Sequence, residues 1–175
     1  MSNAVVRAHG AALFGVDAVA VEVEVAETGG IPRSGVLGQA DSEVREARDR
    51  LRVALQRSGF WPWNGEAPLV VNLAPAGWRK TGTGLDLPMA LAIVGLKRQD
   101  LVAVLAEVMS FGEVGLDGRL RAARGTLSVA IMARDMGMRR VLVPPEAARE
   151  AAEVDGIEVL AARTIADAVK ALCGD

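Results

Sequence analysis

The residues best placed to do chemistry lie between Asn72 and Pro88. Three glycines (Gly77, Gly82, Gly84) flank the adjacent cations Arg79 and Lys80, and Asp86 and Pro88 follow. An apolar run, Leu69 to Leu73, precedes this loop and reads as a strand, while Leu87 to about Leu96 reads as a helix with Asp86 as its N-cap. A strand, a glycine-rich basic loop and a helix start can hold a phosphate, a nucleophile, or neither.

The residue types narrow that choice. A nucleotide-binding P-loop reads G-x-x-x-x-G-K-[ST], its amides cradling the phosphates and its lysine neutralising them. Gly77 and Gly82 have the spacing, but Thr83 and Gly84 stand where the lysine and hydroxyl residue belong. The dinucleotide pattern G-x-G-x-x-G has only Gly82 and Gly84, with Leu87 in the third glycine's place. An acidic residue at the helix start is also a poor neighbour for phosphate, because it occupies the positive end of the helix dipole. Nucleotide binding by this loop is not expected.

What the loop retains is Trp78, Arg79 and Lys80, an aromatic beside two cations. Single-strand binders use that pairing for base stacking and phosphate contact. Arg119, Arg121 and Arg124 add charge near Asp117-Gly118. Three outcomes stay open for Trp78, Arg79 and Lys80: a Trp packed on the domain with two solvated cations, a DNA-contacting loop, or a contact between subunits. The candidate DNA or partner contacts are Trp78, Arg79, Lys80, Arg119 and Arg121.

Other chemistries lack residues. Cys173 is the sole cysteine and His9 the sole histidine, so a disulfide framework, a thiolate metal site and a multi-imidazole site are excluded. No catalytic, cofactor-binding or metal-ligating residue is expected. The 20 basic and 22 acidic residues give a net charge of −2, which offers no global attraction to nucleic acid. The chain is 51% hydrophobic and 24% charged, as an ordinary folded core requires. No apolar run approaches the roughly 18 residues that cross a bilayer, and the N-terminus is not a signal peptide, so a cytoplasmic location is expected.

The elements that must position these residues alternate along one domain, 1–175. Val5 to Phe14 and the alternating Asp17 to Ala26 read as paired strands around a turn at Gly15. Thr28 to Ala40 has loop composition. Asp41 or Ser42 caps a helix that runs to about Ser58 on a stripe of Val44, Ala47, Leu51 and Leu55, its other faces a charge run that is either solvated or a subunit contact. Val102 to Val108 is ambiguous between helix and strand. Phe111 to Ala122 reads as a hairpin turned at Asp117-Gly118. A helix (Thr126 to Met136), a strand (Arg140 to Val143), a helix (Pro145 to Val154), a strand (Ile157 to Leu160) and a helix (Thr164 to Leu172) complete a two-layer α/β (α+β) domain with a mixed sheet.

With these elements in place, the segments Ala11 to Ala18, Val44 to Arg50, Asn72 to Ala76, Asp86 to Leu91 and Gly112 to Arg121 resemble the N-terminal domain of the magnesium-chelatase-like AAA+ proteins. That family is typified by the competence protein ComM, and the resemblance runs from about residue 5 to residue 172. It implies the fold of the Lon proteolytic domain, shared with the small-molecule kinases of the GHMP group. It also implies full-length proteins that continue into an AAA+ ATPase module, form hexameric rings, and take part in branch migration of DNA during homologous recombination in natural transformation. ATP and magnesium are then expected only in that module; the chain itself reaches Asp175 without a Walker lysine. The expectation is a non-catalytic accessory domain that shapes the ring or contacts single-stranded or branched DNA. A solitary Lon-fold binding or assembly domain is the alternative, and a degenerate Lon-like peptidase a third.

The Lon resemblance calls for a Ser-Lys dyad, the serine in a glycine-flanked loop and the lysine on a later helix acting as its base. Matching the segments puts Gly84 at the nucleophile position and Leu127 at the lysine position. Neither can do that chemistry. Ser128 is adjacent to Leu127 but turned by about 100° around the helix, and Lys80, Lys97 and Lys170, the only lysines, lie elsewhere.

Overall fold

The computed structural model describes residues 5–29, 35–65 and 67–174. Its centre is a mixed sheet of seven strands in the order β3-β4-β2-β1-β5-β8-β9. Strands β1 (Val5–Phe14) and β2 (Asp17–Glu27) form an antiparallel hairpin from Val5 opposite Ala26 to Phe14 opposite Asp17, leaving Gly15 and Val16 as the turn. The register follows from β2's alternation: Val21, Val23 and Val25 are buried, whereas Glu22 and Glu24 face the other side. There Arg7 of β1 meets both glutamates, at 3.5 and 3.1 Å.

Strand β4 (Leu69–Ala74) pairs antiparallel with β2, and β3 (Gly35–Leu37) pairs parallel with β4. Strand β3 lies within the segment expected to be loop. Its three residues carry too short an alternation to be read, and its middle-loop neighbours 30–34 lie outside the described residues. On the other side of β1 run β5 (Val108–Ser110), β8 (Arg140–Val143) and β9 (Glu158–Ala161), all parallel. The ambiguous stretch before β5 divides: Gln99–Leu105 is helix α3, and the strand starts at Val108.

Helix α1 (Ser42–Arg57) starts where its cap dictates, with the Asp41 carboxylate accepting the Val44 N–H at 2.8 Å. Its charged faces are not uniformly solvated. Arg48 pairs with Asp49 at the surface, but Arg45 donates back to the Ala40 carbonyl and Arg50 reaches inward to Asp86. Helix α2 (Asp86–Gly95) is buried at every position, as a helix apolar on all sides must be. It lies so close to β1 that a Cβ on Gly10 would sit 2.6 Å from Pro88 Cγ.

Helices α1, α2, α3 and α6 (Ile165–Cys173) share the principal core with β1, β2 and β4. A second core lies on the opposite face, where Ala11, Met109, Val141 and Val143 meet α4 (Thr126–Asp135) and α5 (Pro145–Ala151). The two-layer expectation holds for the principal core, and the other face carries a further, smaller layer in which α4 packs against β2 and β8 and α5 against β8 and β9. Over β1, β5 and β8 the sheet is covered on both faces, which suits its parallel strands. The hairpin, β6 (Glu113–Val114) and β7 (Leu120–Arg121), forms a separate small sheet turned through Gly118 at φ +79°. Among the described residues no helix is long and apolar enough to cross a membrane.

Candidate functional site

The loop leaving β4 is built around a buried cation. Lys80 is fully buried; its Nζ donates to the Pro75 carbonyl and, at 2.9 Å, to the Trp78 carbonyl, and lies 5.0 Å from the centre of the Trp78 ring. The Lys80 backbone bonds to Gln39 and Asp41, tying the loop to the entry of α1. Burial pulls the ammonium's pKa below its usual value. This corrects the expectation for Lys80, which is neither solvated nor available to a DNA phosphate. The side chain satisfies carbonyls that the loop turns inward. Arg79 is exposed, and Trp78 is half-buried against the principal core.

Asp86 is also not what its position suggested. Leu85, not Asp86, occupies the cap position of α2, and no side chain caps it. The Asp86 carboxylate is buried, accepting from Arg50 at 3.0 and 2.9 Å and from the Val114 N–H at 3.0 Å. It joins α1, α2 and the hairpin at one point. Burial raises its pKa to about 6, against the opposing pull of the Val114 N–H and of Arg50, while Glu113 adds a further upward push. The partners are 36 and 28 residues away in sequence, so no local spacing announced them.

Past Lys80 the loop opens on a cleft of about 570 Å³. Thr81, Gly82, Thr83 and Gly84 form one wall; Ala123, Arg124, Gly125 and Ser128 form the opposite one, with Ala12, Leu13 and Phe111 between. The structure thus brings Gly84 and Ser128, distant in sequence, to one place. Gly84 has no room for a side chain: a Cβ there would lie 2.0 Å from Cε2 of Phe111. The space a nucleophile would need is filled by an aromatic ring. On α4, the Leu127 N–H donates to Glu150 at 2.9 Å, and the Ser128 hydroxyl, which lines the cleft, donates to the Val16 carbonyl at 2.8 Å.

Arg119 and Arg121 sit on the hairpin, both exposed. Arg121 lies 3.8 Å from Glu113 and Arg119 lies 3.7 Å from Asp117, both loose contacts in water. The hairpin is fastened to the start of α6 by Leu120 N–H to Arg163 and Ile165 N–H to Gly118. Trp61 and Trp63 pack edge to face at 5.0 Å, Trp61 beside the middle of α1 and Trp63 donating to Glu27 at 2.9 Å. Among the described residues, no group of three His, Cys, Asp or Glu side chains is placed to hold a metal ion.

A family model described as subunit ChlI of Mg-chelatase matches residues 21–147, from the middle of β2 into α5. The chain belongs to the ChlI family. This ChlI-family chain is 36% identical over 160 residues to an uncharacterized protein of Mycobacterium tuberculosis, covering 91% of the chain and 31% of that protein. It is 35% identical over 168 residues to the uncharacterized protein YifB of Escherichia coli, covering 94% and 31% respectively. It is 34% identical over 175 residues to the competence protein ComM of Haemophilus influenzae, covering 99% of the chain and 33% of ComM. The chain spans about a third of the length of the curated relatives it matches.

Proposed function

We propose that this is a non-catalytic accessory domain of a ComM-type AAA+ protein of the cytoplasm, one that supports branch migration of DNA during homologous recombination in natural transformation. The observation that carries this reading is the 34% identity to competence protein ComM along 99% of the chain. Hydrolysis of ATP with magnesium belongs, in this reading, to a separate module, and the domain's partners are that module, other copies in a hexameric ring, and single-stranded or branched DNA. A non-catalytic role is supported by the Phe111 ring against Gly84 and by an apolar residue, Leu127, at the position matched to the lysine.

With Lys80 buried, DNA contact falls to Arg79, Arg119 and Arg121, with Trp78 available for stacking only in part. Three phosphate contacts to a single strand correspond to a log–log salt slope of about −2. Fluorescence anisotropy with a labelled oligonucleotide across a salt series measures it. The Arg79→Ala/Arg119→Ala/Arg121→Ala variant is expected to lose most of the affinity and the slope. Binding by that variant equal to the parent's at low salt would remove these residues from any DNA contact.

A further inference from the structure

The cleft lies where the two halves of the sheet, β3-β4-β2 on one side of β1 and β5-β8-β9 on the other, diverge. From β1 the chain moves to β2, out to the edge strand β3 and back to β4; from β5 it moves the opposite way to β8 and β9. β1 and β5 are parallel neighbours; β1 turns back through Gly15 and Val16 into β2, the chain leaving β5 runs through the hairpin and α4 towards β8, and the cleft lies between their carboxyl ends. Ala12 and Leu13 close β1, Phe111 follows β5 directly, and all three line the cleft. In open α/β sheets this crevice is where ligands bind.

The walls define what chemistry fits. Thr83 and Gly84 begin the short 3-10 turn Thr83–Leu85, where N–H groups have no acceptor within the helix, and among the described residues the N–H groups of Gly82, Thr83 and Gly84 make no backbone bond outside it. Thr81 and Thr83 add hydroxyls, and Arg124 is an exposed guanidinium with no carboxylate partner among the described residues. Glu43 is the sole acid in the lining, and the Ser128 hydroxyl hydrogen is already given to Val16. Asp86, the residue that would repel an anion beside this loop, is held by Arg50 and Val114 and does not line the cleft. Donors therefore outnumber acceptors, and they come from two sides. A volume of about 570 Å³ exceeds a bare anion and suits a ligand of nucleotide size.

We propose that this cleft binds a phosphoryl group, carried by a small free phosphate compound or by the backbone of a single-stranded nucleic acid. The second source rests on the DNA reading above; the first does not. Amide N–H groups, hydroxyls and one guanidinium are the donors that phosphate oxygens take.

The test is an amide NMR titration of the chain with inorganic phosphate and, separately, with an oligo-dT strand, against chloride at matched ionic strength. Saturable shifts are expected at Gly82, Thr83 and Gly84. Arg124→Gln, at an exposed position that the fold does not use, should weaken binding by about tenfold or more. Saturation by inorganic phosphate assigns a free phosphate compound; shifts at these amides from the oligonucleotide alone assign the nucleic-acid backbone. No saturable shift with either ligand, or shifts unchanged in Arg124→Gln, overturns the site. Phosphate saturation with no oligonucleotide binding would leave the site standing and remove the DNA reading. Oligonucleotide shifts confined to Trp78, Arg79 and the hairpin would do the reverse.

Discussion

Gly84→Ala isolates the contact that most constrains the cleft's chemistry. The added Cβ would lie 2.0 Å from Cε2 of Phe111 and 2.6 Å from both Cδ2 and Cζ, whereas carbon atoms in contact sit about 3.5–4.0 Å apart. The ring must therefore retreat by roughly 1.5 Å. It has little space for this, because Phe111 is 3% exposed in the second core. Its backbone is fixed by a 3.0 Å bond from Phe111 N–H to Leu142, and Gly112 N–H binds Gly84 itself at 3.0 Å. Overpacking of this kind costs about 1–3 kcal/mol, and the rigid surroundings place it near the upper end. For a chain of this length that lowers Tm by about 4–10 °C. Phe111→Ala alone costs about 3–5 kcal/mol by opening a cavity. Combined with Gly84→Ala it should cost less than the sum, by at least about 1 kcal/mol, because the ring that clashed is gone. Urea unfolding of the parent, both single variants and the double variant measures the coupling. A Gly84→Ala protein as stable as the parent, or effects that add to within about 0.5 kcal/mol, would refute the clash. Any side chain at position 84, serine included, meets the same ring, so a nucleophile is not restored there by one substitution.

Asp86→Asn tests the buried pair through pH. The folded-state pKa is raised from 3.8 to about 6, so the folded protein holds the proton more tightly than the unfolded chain between those values. Stability from this group is then full below about pH 4 and lost as pH rises through about 6, in all about 3 kcal/mol, of which about 2 fall between pH 4.5 and 7.5. The stability difference, parent minus Asp86→Asn, should shrink by that amount over that range in urea titrations; a difference that is flat or grows with pH contradicts it. Lys80→Met leaves the Pro75 and Trp78 carbonyls without their donor and should destabilise the fold by about 1–3 kcal/mol, with hydrogen exchange rising first in residues 75–80. Unchanged exchange there would mean the lysine does not hold the loop. Asp41→Ala removes the cap of α1 and should cost about 1 kcal/mol, read from the thermal midpoint; a loss below a few tenths would deny the cap its role.

Much of the fold was legible because its signals are local. The β1–β2 hairpin follows from the alternation of Val19, Val21, Val23 and Val25, and α1 from Asp41 and a stripe at helical spacing. Strand β3 was missed because three residues cannot display a period. The second layer of helices was missed because short parallel strands such as Val141 to Val143 are buried on both faces and read simply as apolar. In the candidate site, sequence matching put Gly84 and Leu127 at the two positions of a Ser-Lys pair. It could not show Phe111 filling the space, since ring and glycine meet only through the parallel packing of β5 beside β1. Lys80 and Asp86 were misread because a charge in a loop or at a helix start is usually solvated; here Lys80 turns back onto the Pro75 and Trp78 carbonyls of its own loop, and Asp86 is held by Arg50 and Val114, both distant in sequence.

Those two buried charges also bear on what the cleft can do. Acid–base or nucleophilic chemistry needs an ionisable side chain within hydrogen-bond reach of a reacting atom. The loop supplies two such groups in sequence, Lys80 and Asp86, and the structure turns both away, one into its own carbonyls and one towards Arg50. What faces the cleft from this side is backbone and two threonines. From the other side come Arg124, whose guanidinium does not release a proton, and Ser128, whose hydroxyl is already bonded to Val16. Glu43 remains, in the first turn of α1 and the sole acid among the lining residues. Fixed donors on two walls, with Glu43 the sole carboxylate among the lining residues, suit the phosphoryl binding proposed above. Binding of that kind is what the accessory role proposed above would require.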